Sequence, residues 1–154
     1  MRRSTIIAAC AAIATVALPG AAEAAGGTVS TIGTHKTPDG VVITGASNRT
    51  LYFFRPDERS TKHHAKKSTC YGACAIDWPP VLAKHKPRAT GQAKAKLIGL
   101  TTRKDGSKQV TYDGLPLYYY VADTKAGQVV GDHLTDSFGF WGALQPDGRL
   151  SKKG

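Results

Sequence analysis

Carboxylates are the scarce residues of this 154-residue chain. Eleven Asp and Glu stand against twenty-one Lys and Arg, for a formal net charge of +10. The shortage is sharpest in the middle, where thirteen Lys and Arg between Arg55 and Lys108 meet four acids. A glycosidase-like carboxylate pair would therefore have to be assembled from Asp57 and Asp123. The sequence also has no Gly-x-Ser-x-Gly elbow, no His-Glu-x-x-His, no phosphate-binding loop and no dinucleotide loop. It has no helix-turn-helix, zinc-finger or RNA-binding signature. No segment carries a helical apolar period over ten or more positions. These absences speak against a helical protein, a recognisable hydrolase and a nucleic-acid binder. The reading is non-enzymatic, with no cofactor and no metal expected.

What is present begins with a secretory pattern. Arg2 and Arg3 supply a positive start, Ile6 to Leu18 is apolar and uncharged, and Ala22-Glu23-Ala24 has the small-x-small form that signal peptidase requires. Cleavage is expected after Ala24, making residues 1–24 a signal peptide. The apolar run is too short to hold a bilayer as a stable anchor. Ile7-Ala8-Ala9-Cys10 superficially resembles a lipidation site, but the apolar segment continues past the cysteine, so removal with the signal is the expectation. Residues 25–154 are one domain long.

Within that domain the sequence repeats, a feature to be sought before finer assignment. An offset of 66 places Ile32-Gly33 on Ile98-Gly99, Asp39-Gly40 on Asp105-Gly106, Leu51 to Phe54 on Leu117 to Tyr120, and Asp57 on Asp123. Each copy then reaches a tryptophan, Trp78 or Trp141. The repeats span about 32–80 and 98–146, with a basic linker at 81–97. Val41 to Thr44 and Lys108 to Tyr112 are strand-like in composition. Ser47-Asn48 and Asp113-Gly114 suit tight turns, and Leu51 to Phe54 and Leu117 to Val121 read as returning strands. The expected fold is all-β: two tandem repeats forming similar small antiparallel sheets with approximate two-fold pseudo-symmetry. A helical turn fits only near Cys70 to Trp78.

The strand period of two puts Tyr52 and Phe54 on one face and Leu51 and Phe53 on the other, as it does Tyr118 with Tyr120 and Leu117 with Tyr119. Such strands are either covered on both sides or form a wide aromatic platform. Asp57 and Asp123 close the two strands, where a carboxylate caps the following turn through backbone amides. After cleavage Cys70 and Cys74 remain, and an even count in an oxidising compartment reads first as a disulfide. One helical turn would bring their Cα atoms about 6 Å apart, within bridging range. The alternative is a copper or zinc site, or a redox dithiol, in the envelope. Soft thiolates suit Cu(I), with His63, His64 or His85 as further ligands by type.

These residues resemble the secreted or lipoprotein repeat family with a Y-x-[FWY]-x-x-D motif. Tyr52, Phe54 and Asp57 fit the motif once, and Tyr118, Tyr120 and Asp123 fit it again. Gly114-Leu115-Pro116-Leu117-Tyr118 and Cys70-Tyr71-Gly72-Ala73-Cys74-Ala75 with Trp78-Pro79-Pro80 are also similar to pieces of that family. The resemblance implies a periplasmic, cell-surface or extracellular location and no particular activity. Together with the basic middle segment, it leads to an exported binding or interaction protein. The partner expected for such a charge is an anionic envelope polymer or lipid surface, held by a salt-sensitive attraction.

Overall fold

The computed structural model describes residues 28–57 and 67–152. The secretory segment, Cys10, His63 and His64 lie outside the described residues. Strands dominate, and the described residues hold one short α-helix, α1 (Ala73–Asp77), and two single 3-10 turns, Ala46–Asn48 and Ala95–Leu97. The first repeat opens with β1 (Thr31–Thr37) and β2 (Gly40–Thr44), a hairpin in which Thr37 faces Gly40 across Pro38-Asp39. The second opens with β5 (Ile98–Thr102) and β6 (Lys108–Tyr112), joined by a longer turn around Asp105-Gly106. The strands expected at 41–44 and 108–112 therefore stand where composition put them, whereas the returning strand expected over 117–121 runs from Leu115 to Tyr118, because Tyr119 to Val121 turn away to bond Pro79 and Asp77.

The added turn length has a consequence that a single offset hides. In the first repeat the Ile43 amide bonds the Leu144 carbonyl, and in the second the Val110 amide bonds the Val81 carbonyl. Ile43 and Val110 therefore take equivalent places, although the offset of 66 aligns Ile43 with Gln109. Buried Val42 is matched by buried Gln109, whose amide nitrogen donates to the Leu117 carbonyl at 2.8 Å.

The returning strands are β3 (Tyr52–Phe54) and β7 (Leu115–Tyr118). They pair antiparallel with each other, Tyr52 opposite Tyr118. β8 (Trp141–Ala143) flanks β3 on its other side, with Phe54 opposite Trp141. The result is a five-stranded sheet in the order β5-β6-β7-β3-β8, with β3 of the first repeat seated between two strands of the second. A three-stranded sheet, β2-β1-β4, adds β4 (Arg88–Ala89) parallel to β1. All other named strand pairs are antiparallel.

The segment 81–97, marked by its charge as a basic linker, starts inside the fold. Val81 and Ala83 are buried, the Val81 amide donates to the Leu117 carbonyl, and Pro80 bridges Tyr118 as Ala143 pairs with Tyr52. Apolar Val81-Leu82-Ala83 completes the first repeat before the charge begins, and Arg88-Ala89 then extends the β1 sheet.

Alternation along β3 and β7 builds two cores, so these strands are covered on both sides. Leu51, Leu117 and Tyr119 join Ile32, Ile43, Val81, Ile98 and Val110 in one, with Phe53 packed against it. Tyr52, Phe54 and Tyr118 join Trp78, Trp141 and the two cysteines in the other. The second core is organised by a continuous stack of four rings. Phe54 lies 4.0 Å from Trp141, Trp141 lies 3.9 Å from Trp78, and Trp78 lies 4.1 Å from Tyr120. Tyr52 meets Trp78 edge-on at 5.5 Å, and Tyr118 meets Trp141 edge-on at 5.3 Å. Phe54 and Tyr120 are repeat equivalents, as are the tryptophans, so the approximate two-fold passes between the two indoles. Gly131 permits this approach, since a Cβ there would stand 2.7 Å from the Trp78 ring.

Both indoles are fully buried. Trp141→Ala removes the centre of the stack and leaves a cavity, which for large aromatic truncations costs about 3–5 kcal/mol. Urea unfolding of the variant beside the parent checks this, with a drop of that size in unfolding free energy expected.

Candidate functional site

The six residues of the doubled Tyr-x-Phe/Tyr-x-x-Asp pattern converge, and they converge across the repeats. The Tyr52 hydroxyl donates to Asp123 Oδ2 at 2.5 Å, and the Tyr118 hydroxyl donates to Asp57 Oδ2 at 2.6 Å. Each repeat's phenol therefore serves the other repeat's carboxylate. The remaining oxygens take up backbone. Asp57 Oδ1 accepts the amide and the hydroxyl of Thr69, both at 2.7 Å, and Asp123 Oδ1 accepts the Val130 amide at 3.0 Å. The carboxylates do cap loops through amides, as their strand-end positions suggest. The exchange of phenols was not visible in the sequence, because the antiparallel meeting of β3 and β7 creates it.

The two aspartates are 6% and 2% exposed. Burial, the largest influence, raises the pKa of Asp57 above the usual carboxylate value, against hydrogen bonds from Tyr118 and Thr69 and the charge of Arg103. Burial likewise raises Asp123 against its bonds from Tyr52 and Val130 and the charge of Arg49. Burial also pushes both phenols well above the usual tyrosine range, with the adjoining carboxylates adding to the rise. Burial thus disfavours the charged form of all four groups. Phe54 and Tyr120 belong to the ring stack. The pattern thus assigns its residues to the join between repeats.

Cys70 and Cys74 are disulfide-bonded, with Cα atoms 5.3 Å apart. The Trp78 amide donates to the Cys74 carbonyl, so the bridged turn carries the tryptophan into the stack, and Trp78 Nε1 donates to Asp136 at 2.8 Å. In this structure neither sulfur offers a thiolate. A copper, zinc or dithiol reading would begin with reduction of this bond.

Beside the bridge lies a cleft of about 490 Å³ lined, among the described residues, by Lys67, Ser68, Thr69, Tyr71, Thr102, Arg103 and Lys104, none of them a carboxylate. Arg103 forms its floor at 5% exposure. Its guanidinium donates to Ser68 Oγ and Gln109 Oε1, both at 2.7 Å, and to the Cys70 carbonyl at 2.9 Å. All three acceptors are neutral. Ser68 Oγ lies 2.7 Å from the Tyr118 hydroxyl, so a hydrogen-bonded relay links Arg103 to Asp57 through Ser68 and Tyr118. Burying a charge is costly unless hydrogen bonds surround it; Ser68, Gln109 and Cys70 accept from the two terminal nitrogens, while the buried Nε has no partner among the described residues. Tyr71 stands over the guanidinium, 4.3 Å from ring centroid to Arg103 Cζ, with Lys104 Nζ at 5.2 Å. Its hydroxyl accepts the Lys104 amide at 3.1 Å. Sequence reasoning marked the basic segment and missed this cleft, because Arg103 and Tyr71 are thirty-two positions apart.

A family model described as a secreted repeat of unknown function matches residues 33–82 and again residues 99–145. Neither the curated proteins nor the solved structures offer a match. Among the described residues no helix is long and apolar enough to cross a membrane.

Two outcomes are expected. Tyr52→Phe strips a buried carboxylate of its charge-assisted bond and should cost about 1.5–3 kcal/mol of stability, read from urea unfolding at pH 7. The second concerns pH. Because the folded pKa of Asp57 and Asp123 lies above the unfolded value, folding takes up protons at these groups. Their contribution is fully present below the ordinary carboxylate range and is lost as pH rises through the raised values. Asp57→Asn should therefore remove part of the fall in stability with rising pH in that window, measured as unfolding free energy at stepped pH.

Proposed function

The chain belongs to this family of secreted repeats, and we propose that it is a non-enzymatic binding module that meets an anionic component of the cell envelope or its surroundings. The observation that carries this reading is the separation of its charges. Residues 67–108 hold eight exposed Lys and Arg against two exposed acids, Asp77 and Asp105. Asp57, the carboxylate nearest this segment in the repeat pattern, is turned inward to Thr69 and Tyr118. Asp105 is engaged by the amide and hydroxyl of Ser107. Over the exposed surface of this segment as a whole cations therefore outnumber acids, and their field extends about 8–10 Å at physiological salt.

Several features fit a binding role better than catalysis. The repeated aspartates and tyrosines, the strongest candidates for acid-base chemistry by type, are buried and bonded to one another across the two repeats. The exposed lysines and arginines are spread along loops and short strands, which suits an extended partner more than a small substrate. Anionic polymers and lipid head groups are the partners such a display attracts.

Co-sedimentation of the exported chain with phosphatidylglycerol-containing vesicles tests the reading, beside neutral phosphatidylcholine vesicles. Association is expected with the anionic vesicles alone and should fall steeply between low salt and 0.5 M salt. Equal partition to both, or indifference to salt, would overturn it.

A further inference from the structure

We propose that the cleft lined by Lys67, Tyr71, Arg103 and Lys104 is a binding site for a single phosphoryl oxyanion, as a phosphate ester or a phosphodiester of a larger ligand. This deepens the reading of an anionic partner and rests on it for the nature of that partner. It rests on the cleft alone for the site. Among the described residues the lining offers donors and positive charge and no competing carboxylate. Lys67 and Lys104 are exposed at its rim. The Tyr71 hydroxyl already accepts the Lys104 amide, and among the described residues no acceptor takes its proton. Two ammonium groups and a phenolic O–H in one lining supply more donors than a lone carboxylate can use. A phosphoryl group, with three free oxygens and a larger charge, can engage all of them.

The cleft is also preorganised. Arg103 is locked by Ser68, Gln109 and Cys70, and its charge rests on neutral acceptors. Among the described residues no carboxylate is in ion-pair contact with it. Tyr71 is held over this fixed charge by stacking and by its bond from Lys104. Its chain neighbours fix it further. Cys70 is tied by the disulfide, and Gly72 adopts φ +56° and ψ −128°, a conformation open to glycine and strained for other residues. Arg103 is thus a positioning residue that holds the Tyr71 ring and biases the potential of the cleft. Lys67, Lys104 and the Tyr71 hydroxyl make the contacts. A volume of about 490 Å³ accommodates a phosphate together with the glycerol or sugar unit that carries it.

The test is a titration of the exported chain followed by amide NMR, with inorganic phosphate, glycerol phosphate and acetate compared at matched ionic strength. Saturable shifts centred on Tyr71 and Lys104 are expected with the two phosphates, and weak linear shifts with acetate. Lys104→Gln and Lys67→Gln should each weaken phosphate binding roughly tenfold. Tyr71→Phe, which keeps the ring on Arg103, should weaken it severalfold with an unchanged melting temperature. Lys125→Gln, an exposed lysine outside the 67–108 segment and outside the cleft lining, should leave it unchanged. Saturation by acetate to the same degree, linear shifts with phosphate, or an equal loss in the Lys125→Gln control would overturn the site.

Vesicle co-sedimentation of the Lys67→Gln/Lys104→Gln variant identifies the source of the oxyanion. Loss of association assigns a lipid head group, and retained association with lost phosphate binding assigns a water-soluble phosphate ester. Vesicle association without saturable phosphate binding would sink the cleft proposal and leave the broader reading standing. Saturable phosphate binding without vesicle association would do the reverse.

Discussion

Two buried carboxylates, each bonded by a phenol from the other half of the chain, are the constraint on which the structure depends. An isolated carboxylate in an apolar core is untenable, and burial raises the pKa of both Asp57 and Asp123. Each repeat supplies its own aspartate on one oxygen only, Thr69 for Asp57 and Val130 for Asp123, and the second oxygen waits for the other repeat. Tyr118 comes to Asp57 and Tyr52 comes to Asp123 only when β3 and β7 pair. That pairing also stacks Trp78 on Trp141 and caps the stack with Phe54 and Tyr120. Satisfying the polar groups and filling the core are therefore one event. Two repeats are needed because the unit that satisfies both is the pair.

This division of labour separates the inside of the molecule from its outside. The residues that recur between the repeats are spent on the join. The residues that differ between them carry the surface character: the disulfide turn, Arg103 in the longer second hairpin turn, and the lysines of 67–108. The cleft beside the bridge sits on that difference. Arg103 belongs to a hairpin turn that is shorter in the first repeat, and Tyr71 belongs to the bridged turn that the second repeat lacks. The cleft is connected to the core all the same, since Ser68 bonds both Arg103 and the Tyr118 hydroxyl. The charge that floors the surface cleft and the carboxylate that closes the repeat join are two ends of one hydrogen-bonded chain.

Much of this was legible beforehand, for physical reasons. The strands β2 and β6 follow from β-branched composition, the hairpin turns from Asp-Gly, and the two-sided burial of β3 and β7 from aromatics at both parities. The Cys70–Cys74 bridge follows from spacing and from an even count. What was not legible depends on non-local partner choice. Nothing local in Leu51 to Phe54 says that this strand will sit between β7 and β8. The one-residue shift that places Ile43 with Val110 depends on hairpin loop length, which a gapless alignment conceals. Charge marked 81–97 as a linker, yet its apolar first residues, Val81 to Ala83, close the first repeat. Arg103 was counted as one more surface cation, and its neutral partners, Ser68, Gln109 and the Cys70 carbonyl, come from three separate places in the chain.

The central claim is that neither repeat is a domain and that the two complete each other. The direct measurement is to prepare residues 25–91 and residues 92–154 as separate chains, with the Cys70–Cys74 bridge formed, and to record proton NMR and thermal unfolding of each alone and of the equimolar mixture. Each chain alone is expected to show no ring-shifted methyl signals and no cooperative transition, and the mixture is expected to gain both. A dispersed spectrum and a cooperative transition from either chain alone would contradict the account, since that half would then have satisfied its carboxylate and filled its core without the other.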